Sequence, residues 1–204
     1  KRLNSPESDR MKRFQSIAVL AAIIVFFASA GCRRTEVPKP MGYFRIDLEE
    51  PVYVRLDSAM PYSFEYPKST VIESDVAPGA EPYWINILYP RHNARVHLSY
   101  KEVEDNLYEL LEDNIKLAYK HVVKADGIDE DIYVDEDKSL YVMLFDIKGD
   151  AASPLQFLAT DSARHFLRGS LYFYARPNRD SLAPVIDYIK TDVVHLIETL
   201  EWRD

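Results

Sequence analysis

Apolar and polar residues alternate over residues 95–101, with Val96, Leu98 and Tyr100 on one side and Arg95, His97, Ser99 and Lys101 on the other. A period of two marks a strand with one face in a core and the other in water, and it predicts an antiparallel sheet. Further strands are predicted at 43–48, 62–66, 84–89 and 156–160, with a turn-rich stretch around Pro78, Gly79 and Pro82. The run over 140–147 is almost continuously apolar and predicts a central strand covered on both faces. After a turn at 149–154, residues 165–176 carry Phe166, Leu171 and Phe173 around Gly169, which is read as a bulge. Two stretches change to helical spacing. Leu107, Leu110, Leu111, Ile115, Ala118 and Val122 share one face, and Asn106 and Glu109 are spaced as a capping box. Lys120, His121 and Lys124 suit the end of that helix, with Asp126 and Gly127 as its stop. The second helix spans 182–202, where Leu182, Val185, Ile186, Ile189, Val193, Leu196, Ile197 and Leu200 form an apolar stripe. Strands, a helix, more strands and a closing helix predict an α+β fold: an antiparallel β-sheet flanked by α-helices, its strand order open.

The apolar run over 17–28 has a different meaning. Lys12 and Arg13 precede it, and Ser29, Ala30 and Gly31 lead to Cys32, the single cysteine. The run is too short to span a bilayer and has the layout of a secretory signal peptide. Small residues directly before a lone cysteine fit the lipobox of bacterial lipoproteins, which makes Cys32 the lipidation site. Residues 1–10 are read as a non-native or overextended start, 11–31 as the lipoprotein signal peptide, 32–41 as a lipid-anchored tether and 42–204 as a single periplasmic domain. Pro38 and Pro40 favour an extended tether.

Charge narrows the function classes. The chain has a formal net charge of −8, and removing the leader takes away more basic residues than acidic ones. Clustered Lys and Arg that would neutralise phosphates are missing, so no nucleic-acid partner is expected. With Cys32 lipidated no thiol remains, which rules out disulfides, cysteine zinc sites and thiol catalysis within the chain.

Candidate chemistry is sparse. Asp161, Ser162 and His165 suggest a triad, yet no Gly-x-Ser-x-Gly elbow is present and three near neighbours suit a polar turn better. His92 and His97 have neither helical nor strand ligand spacing, and His121 and His195 each stand alone on predicted helices, where a surface or dipole role suffices. Asp126, Asp129, Glu130, Asp131, Asp135, Glu136 and Asp137 are dense enough to suggest calcium, but their spacing breaks the calcium-loop pattern and reads as a solvated hairpin. No metal and no cofactor is expected. Tyr172 and Tyr174 suit either a sheet face or a partner surface. The main expectation is a noncatalytic binding or assembly module. The alternative is a periplasmic hydrolase-like enzyme whose Asp146 or Asp161 joins His165 in a cleft.

Several uninterrupted strings carry a family resemblance. They are 38–47 (PKPMGYFRID), 63–67 (SFEYP), 84–87 (WINI), Asn93-Ala94, 97–101 (HLSYK), Gln156-Phe157, 160–162 (TDS), 165–169 (HFLRG), Pro177-Asn178, 180–182 (DSL) and 198–202 (ETLEW). On these the chain resembles the gliding-motility lipoprotein GldD family of the Bacteroidetes-type envelope. The resemblance implies a membrane-anchored lipoprotein supporting gliding motility and the linked type IX secretion machinery, with other envelope proteins as partners and no catalytic residues. It further implies a domain facing the periplasm, anchored in the inner or outer membrane through Cys32. Ser58, Ser162 and Ser181 each lie in a three-residue acceptor pattern for O-glycosylation in such bacteria, and Ser58 is favoured. In layout the chain also resembles the PsbP/Mog1-like αβα sandwich.

Overall fold

The structure, a computed structural model, describes residues 48, 50–120, 125–175 and 177–203, together with Val19. Cys32 and the strand predicted at 43–48, apart from Leu48, lie outside the described residues. Residues 43–204 make one compact unit, distinct from residues 1–42.

The strands are β1 (Tyr53–Arg55), β2 (Tyr62–Ser63), β3 (Glu65–Pro67), β4 (Val71–Ser74), β5 (Ile85–Tyr89), β6 (Ala94–Glu102), β7 (Ala125–Asp135), β8 (Leu140–Gly149), β9 (Leu155–Thr160), β10 (His165–Phe173) and β11 (Glu201–Trp202). The helices are α1 (Leu107–Tyr119) and α2 (Arg179–Glu198). Seven strands form an antiparallel sheet in the order β4-β5-β6-β10-β9-β8-β7, and the pairs β1-β3 and β11-β2 stand beside it. The fold is α+β, with an antiparallel sheet flanked by helices as the hydropathy pattern predicts.

Because side chains alternate across a strand, strands β8, β9 and β10 feed two cores. Ile85, Ile87, Val96, Leu98, Tyr100, Leu144, Phe157, Leu167 and Leu171 face the stripe of α2 formed by Val185, Ile189, Val193, Leu196 and Ile197. Phe145, Ile147, Leu158 and Phe166 face the other way and meet Ala118, Leu107, Leu111 and Ile115 of α1.

Several local expectations change. The middle of the sheet is β10, not the strand at 140–147. β8 lies next to the edge, and burial of both its faces holds only from Leu144 to Ile147. Gly169 is not a bulge, since its pairing with Leu98 and with Phe157 continues in register on both sides. Instead the Phe157 ring covers it, so that a Cβ there would sit 2.0 Å from Cε1. The capping box does not close: Asn106 Oδ1 accepts from the Glu104 amide at 2.9 Å, and α1 has no side-chain cap. Asp126 and Gly127 do not stop a helix; they open edge strand β7, with a register shift between Ala125 and Gly127. The acidic run thus lines an exposed edge, where charge opposes strand-to-strand association. At the other end, α2 finishes at Glu198. Leu200 and Trp202 are two apart, a strand spacing, and Glu201–Trp202 pairs with Tyr62–Ser63. The predicted strand at 62–66 is split by Phe64, so that β2 serves β11 and β3 serves β1.

Candidate functional site

Where β6 ends and β10 begins, the apolar core gives way to polar groups. Tyr100 is the last inward residue of the alternating strand β6, and its hydroxyl shares a hydrogen bond of 2.8 Å with His165 Nδ1. The Trp202 ring stacks on His165 with 5.2 Å between centroids and 5° between planes. β11 brings Trp202 there, and the adjoining Arg203 donates from Nη1 to the Ser58 carbonyl at 3.0 Å. Tyr83 closes the far side with φ at +66°, a region that side chains rarely adopt. The Tyr62 hydroxyl donates to its carbonyl at 2.6 Å, and the Trp84 indole donates to the Tyr100 carbonyl at 2.8 Å. Together these groups frame a cavity of about 660 Å³ with Tyr83, Tyr100, Glu102, Arg164, His165 and Arg203 in its wall. A second hollow of about 440 Å³ shares Tyr83, Tyr100 and Glu102 and reaches Leu110 of α1.

Burial, helped by the charges of Glu102 and Asp161, pushes the Tyr100 phenol up to about 12. It therefore stays protonated at neutral pH. Tyr62, in contact with Tyr100, is raised further, again by burial first. The cleft thus offers a neutral phenol and aromatic faces beside the charged Glu102, Arg164 and Arg203.

The carboxylates that the alternative enzyme reading sets beside His165 are used elsewhere. Asp161 Oδ1 accepts from the amides of Ala163, Arg164 and His165 at 2.9, 2.8 and 2.8 Å. Burial alone would raise its pKa, but these backbone donors outweigh it and hold the carboxyl below the usual carboxylate range. Ser162, exposed at φ +64°, forms the tip of the β9–β10 turn. Asp161, Ser162 and His165 therefore build a hairpin turn. Asp161→Ala, which strands these amide donors, is expected to lower stability by about 1–2 kcal/mol in urea titration at pH 7. The loss should shrink as pH falls through the lowered pKa of Asp161, because protonation weakens the same bonds in the parent.

Asp146 lies at the opposite end of β9, opposite Leu155, whereas His165 follows the turn after Thr160. There it bonds Lys148, Arg179 and Lys190 at 2.8, 3.1 and 3.0 Å. Of the residues weighed for a catalytic cleft, His165 alone lines the cavity.

Other candidates separate in the same way. His195 has more than a surface role: Nε2 bonds Glu65 at 2.8 Å, and the ring stacks on Tyr53 at 3.7 Å, tying α2 to β1 and β3. His92 packs edge-on against Tyr188, whereas His121 lies outside the described residues. The acidic run of β7 is extended, which sends neighbouring carboxylates to opposite faces, and Asp129 turns to Lys148 at 3.3 Å. Among the described residues no cluster of three or more potential ligands is placed to hold a metal. The Ser58 hydroxyl is buried without a hydrogen-bond partner, while Ser162 and Ser181 are exposed. Ser181 stands in the first turn of α2, its amide donating to the Asn178 cap at 3.2 Å.

The sequence reading missed Tyr83, Tyr100, Glu102, Trp202 and Arg203 as a group. They come from distant parts of the chain, and the one available signal was that Tyr100 ends an alternating strand on its apolar side.

The chain matches the family described as gliding motility lipoprotein GldD over residues 33–202. No curated protein matches it. Among solved structures it is similar to the solution structure of cyanobacterial PsbP (CyanoP) from Synechocystis sp. PCC 6803, with a TM-score of 0.45 and 11% identity over 80% of this chain and 99% of that one.

Proposed function

The chain belongs to the gliding motility lipoprotein GldD family, and on that premise we propose that it is a noncatalytic assembly or binding component supporting gliding motility and the linked type IX protein secretion machinery. Family membership makes it a membrane-anchored lipoprotein of the cell envelope. The observation that carries the proposal is the extent of the match, which starts directly after Cys32 and runs through the last strand. The cleft supports a binding role, since the Asp161 carboxylate is committed to a turn and Asp146 to an ion cluster. Deleting the protein is expected to abolish colony spreading and to reduce secretion through the type IX route. Normal spreading and normal secretion in the deletion strain would refute the proposal.

Within this reading Cys32 carries the lipid, and the domain faces the periplasm from the inner or outer membrane. Cys32→Ala is expected to move the protein from the membrane to the soluble fraction and to abolish incorporation of radiolabelled palmitate. Retention in washed membranes would count against the anchor. For O-glycosylation the exposed Ser162 and Ser181 suit a transferase better than Ser58, whose hydroxyl is buried. An intact mass without added hexose would end that part of the proposal.

A further inference from the structure

The sheet face opposite α2 is only half packed by α1, whose apolar contacts end at Leu158 and Phe166. Beyond them a row of short or polar side chains crosses four strands in register: Asn86 of β5 beside His97 of β6, then Ser170 of β10, then Gln156 of β9. Longer side chains stand on either side of this row, Arg95 and Tyr172 in one flanking row and Arg168 in the other. The floor is buried, with Asn86 at 5%, Gln156 at 2% and Ser170 at 1% exposure, whereas Arg95, His97, Arg168 and Tyr172 are partly exposed.

This row is not satisfied internally. Asn86 Oδ1, Gln156 Nε2 and Ser170 Oγ are buried without a hydrogen-bond partner, and so are Nε of Arg95 and Nε of Arg168. Most of these atoms are donors. Native folds rarely leave such groups unpaired, and a buried charge is ordinarily matched by an opposite one. Neither arginine has a carboxylate partner among the described residues. Arg168 donates from Nη2 to Gln156 Oε1 at 2.8 Å, and Arg95 stands over the Tyr174 ring at 5.1 Å. Of the nearby acids, Glu81 pairs with Lys101 and Asp75 lies 3.8 Å from His97, while Glu73 stands beside Asn86 on edge strand β4, three strands from Arg168. Two guanidinium groups flanking a floor rich in unpaired donors match a carboxylate, which an arginine fork binds bidentately.

The geometry points to a docking face for an acidic segment of a protein partner, with its carboxylates seated between Arg95 and Arg168. Charge complementarity selects this occupant: an apolar or basic segment would leave both arginines uncompensated. The inference deepens the assembly reading and relies on it only for the existence of a partner. A direct titration of the face can therefore fail while the deletion phenotype stands.

The test uses the full lipid-anchored chain in detergent micelles and follows arginine Nε–H resonances by 15N NMR while a deca-glutamate peptide is added. Arg95 and Arg168 are expected to shift first and saturably. Deca-glutamine should bind at least tenfold more weakly. Arg95→Gln, which removes only a partly exposed side chain, should weaken the deca-glutamate response at least fivefold with an unchanged melting temperature. The wild-type titration needs no variant, so poor folding of Arg168→Gln would not blunt the test. Equal response to deca-glutamine, or shifts confined to other arginines, would overturn the proposal. Equal saturation by inorganic sulfate at matched charge would also overturn it, in favour of a site for free anions.

Discussion

Gly169→Ala is expected to cost about 3 kcal/mol or more of folding stability, at the upper end of what overpacking a core produces. The new Cβ would lie 2.0, 2.5 and 2.6 Å from Cε1, Cδ1 and Cζ of Phe157. These contacts are with a ring that is 1% exposed in the larger core, not with the free end of a mobile side chain. β10 is the middle strand, bonded to β6 on one side and β9 on the other, so neither neighbour can move aside without breaking a ladder. A glycine in a strand ordinarily weakens it. Here the ring laid across the gap restores the lost burial, and the pair works as one unit. Phe157→Leu alone should also destabilise. Combined with Gly169→Ala, however, it should cost less than the two single changes together, because the smaller side chain makes room for the methyl group. Thermal denaturation of the four proteins measures this coupling. An unchanged midpoint for Gly169→Ala would show that the ring does not lie over the strand.

Asp146→Asn should produce the second large loss, about 3 kcal/mol at pH 7, near the lower end for breaking a buried ion pair. Its carboxylate is 5% exposed, while the cations around it, Arg179, Lys190 and Lys148, are 18%, 28% and 37% exposed. Burial alone would raise the pKa of Asp146, but Lys148, Lys190 and Arg179 outweigh it and hold it below the usual carboxylate value. A lowered folded-state pKa means that the ionised form stabilises the fold. That contribution is complete above the unfolded pKa, about 3.9, and is lost as pH falls through the folded value. The parent and Asp146→Asn should therefore differ most near neutrality and converge in acid. For a domain of this size the neutral-pH gap corresponds to roughly 6–12 °C in melting temperature. Parallel pH profiles that never converge would show that the loss comes from packing instead of charge. The cluster also fixes α2: Arg179 and Lys190 lie about three turns apart on the helix, and Asp146 binds both to β8.

The asymmetry between these sites explains what could be read in advance. Strand β6 and the stripe of α2 declare themselves because their neighbours in space are also near in sequence at periods of two and 3.6. Gly169 declares only that something is unusual, and a bulge was the local explanation. The actual cause, Phe157, lies on another strand. The polar turn read at Asp161, Ser162 and His165 was legible for the opposite reason: Asp161 hydrogen bonds locally to the amides of the next residues, and that competes with a long-range partnership. The capping box of α1 failed because another local bond won, with Asn106 turning back to Glu104.

The sequence alone determined the elements whose signal is local: the alternating strands, the two amphipathic helices, the α+β class, and the family strings that run from the tether to Trp202. Tertiary structure decided which strand is central, that β2 and β11 pair at the end of the chain, and that Tyr83, Tyr100, His165 and Arg203 meet around one cavity. It also decided that Arg95 and Arg168 flank one polar row. The physical reason is that a hydropathy period records only whether a residue is buried. Which residue it is buried against depends on register and layer packing between segments scores of positions apart, and that information resides in the folded chain.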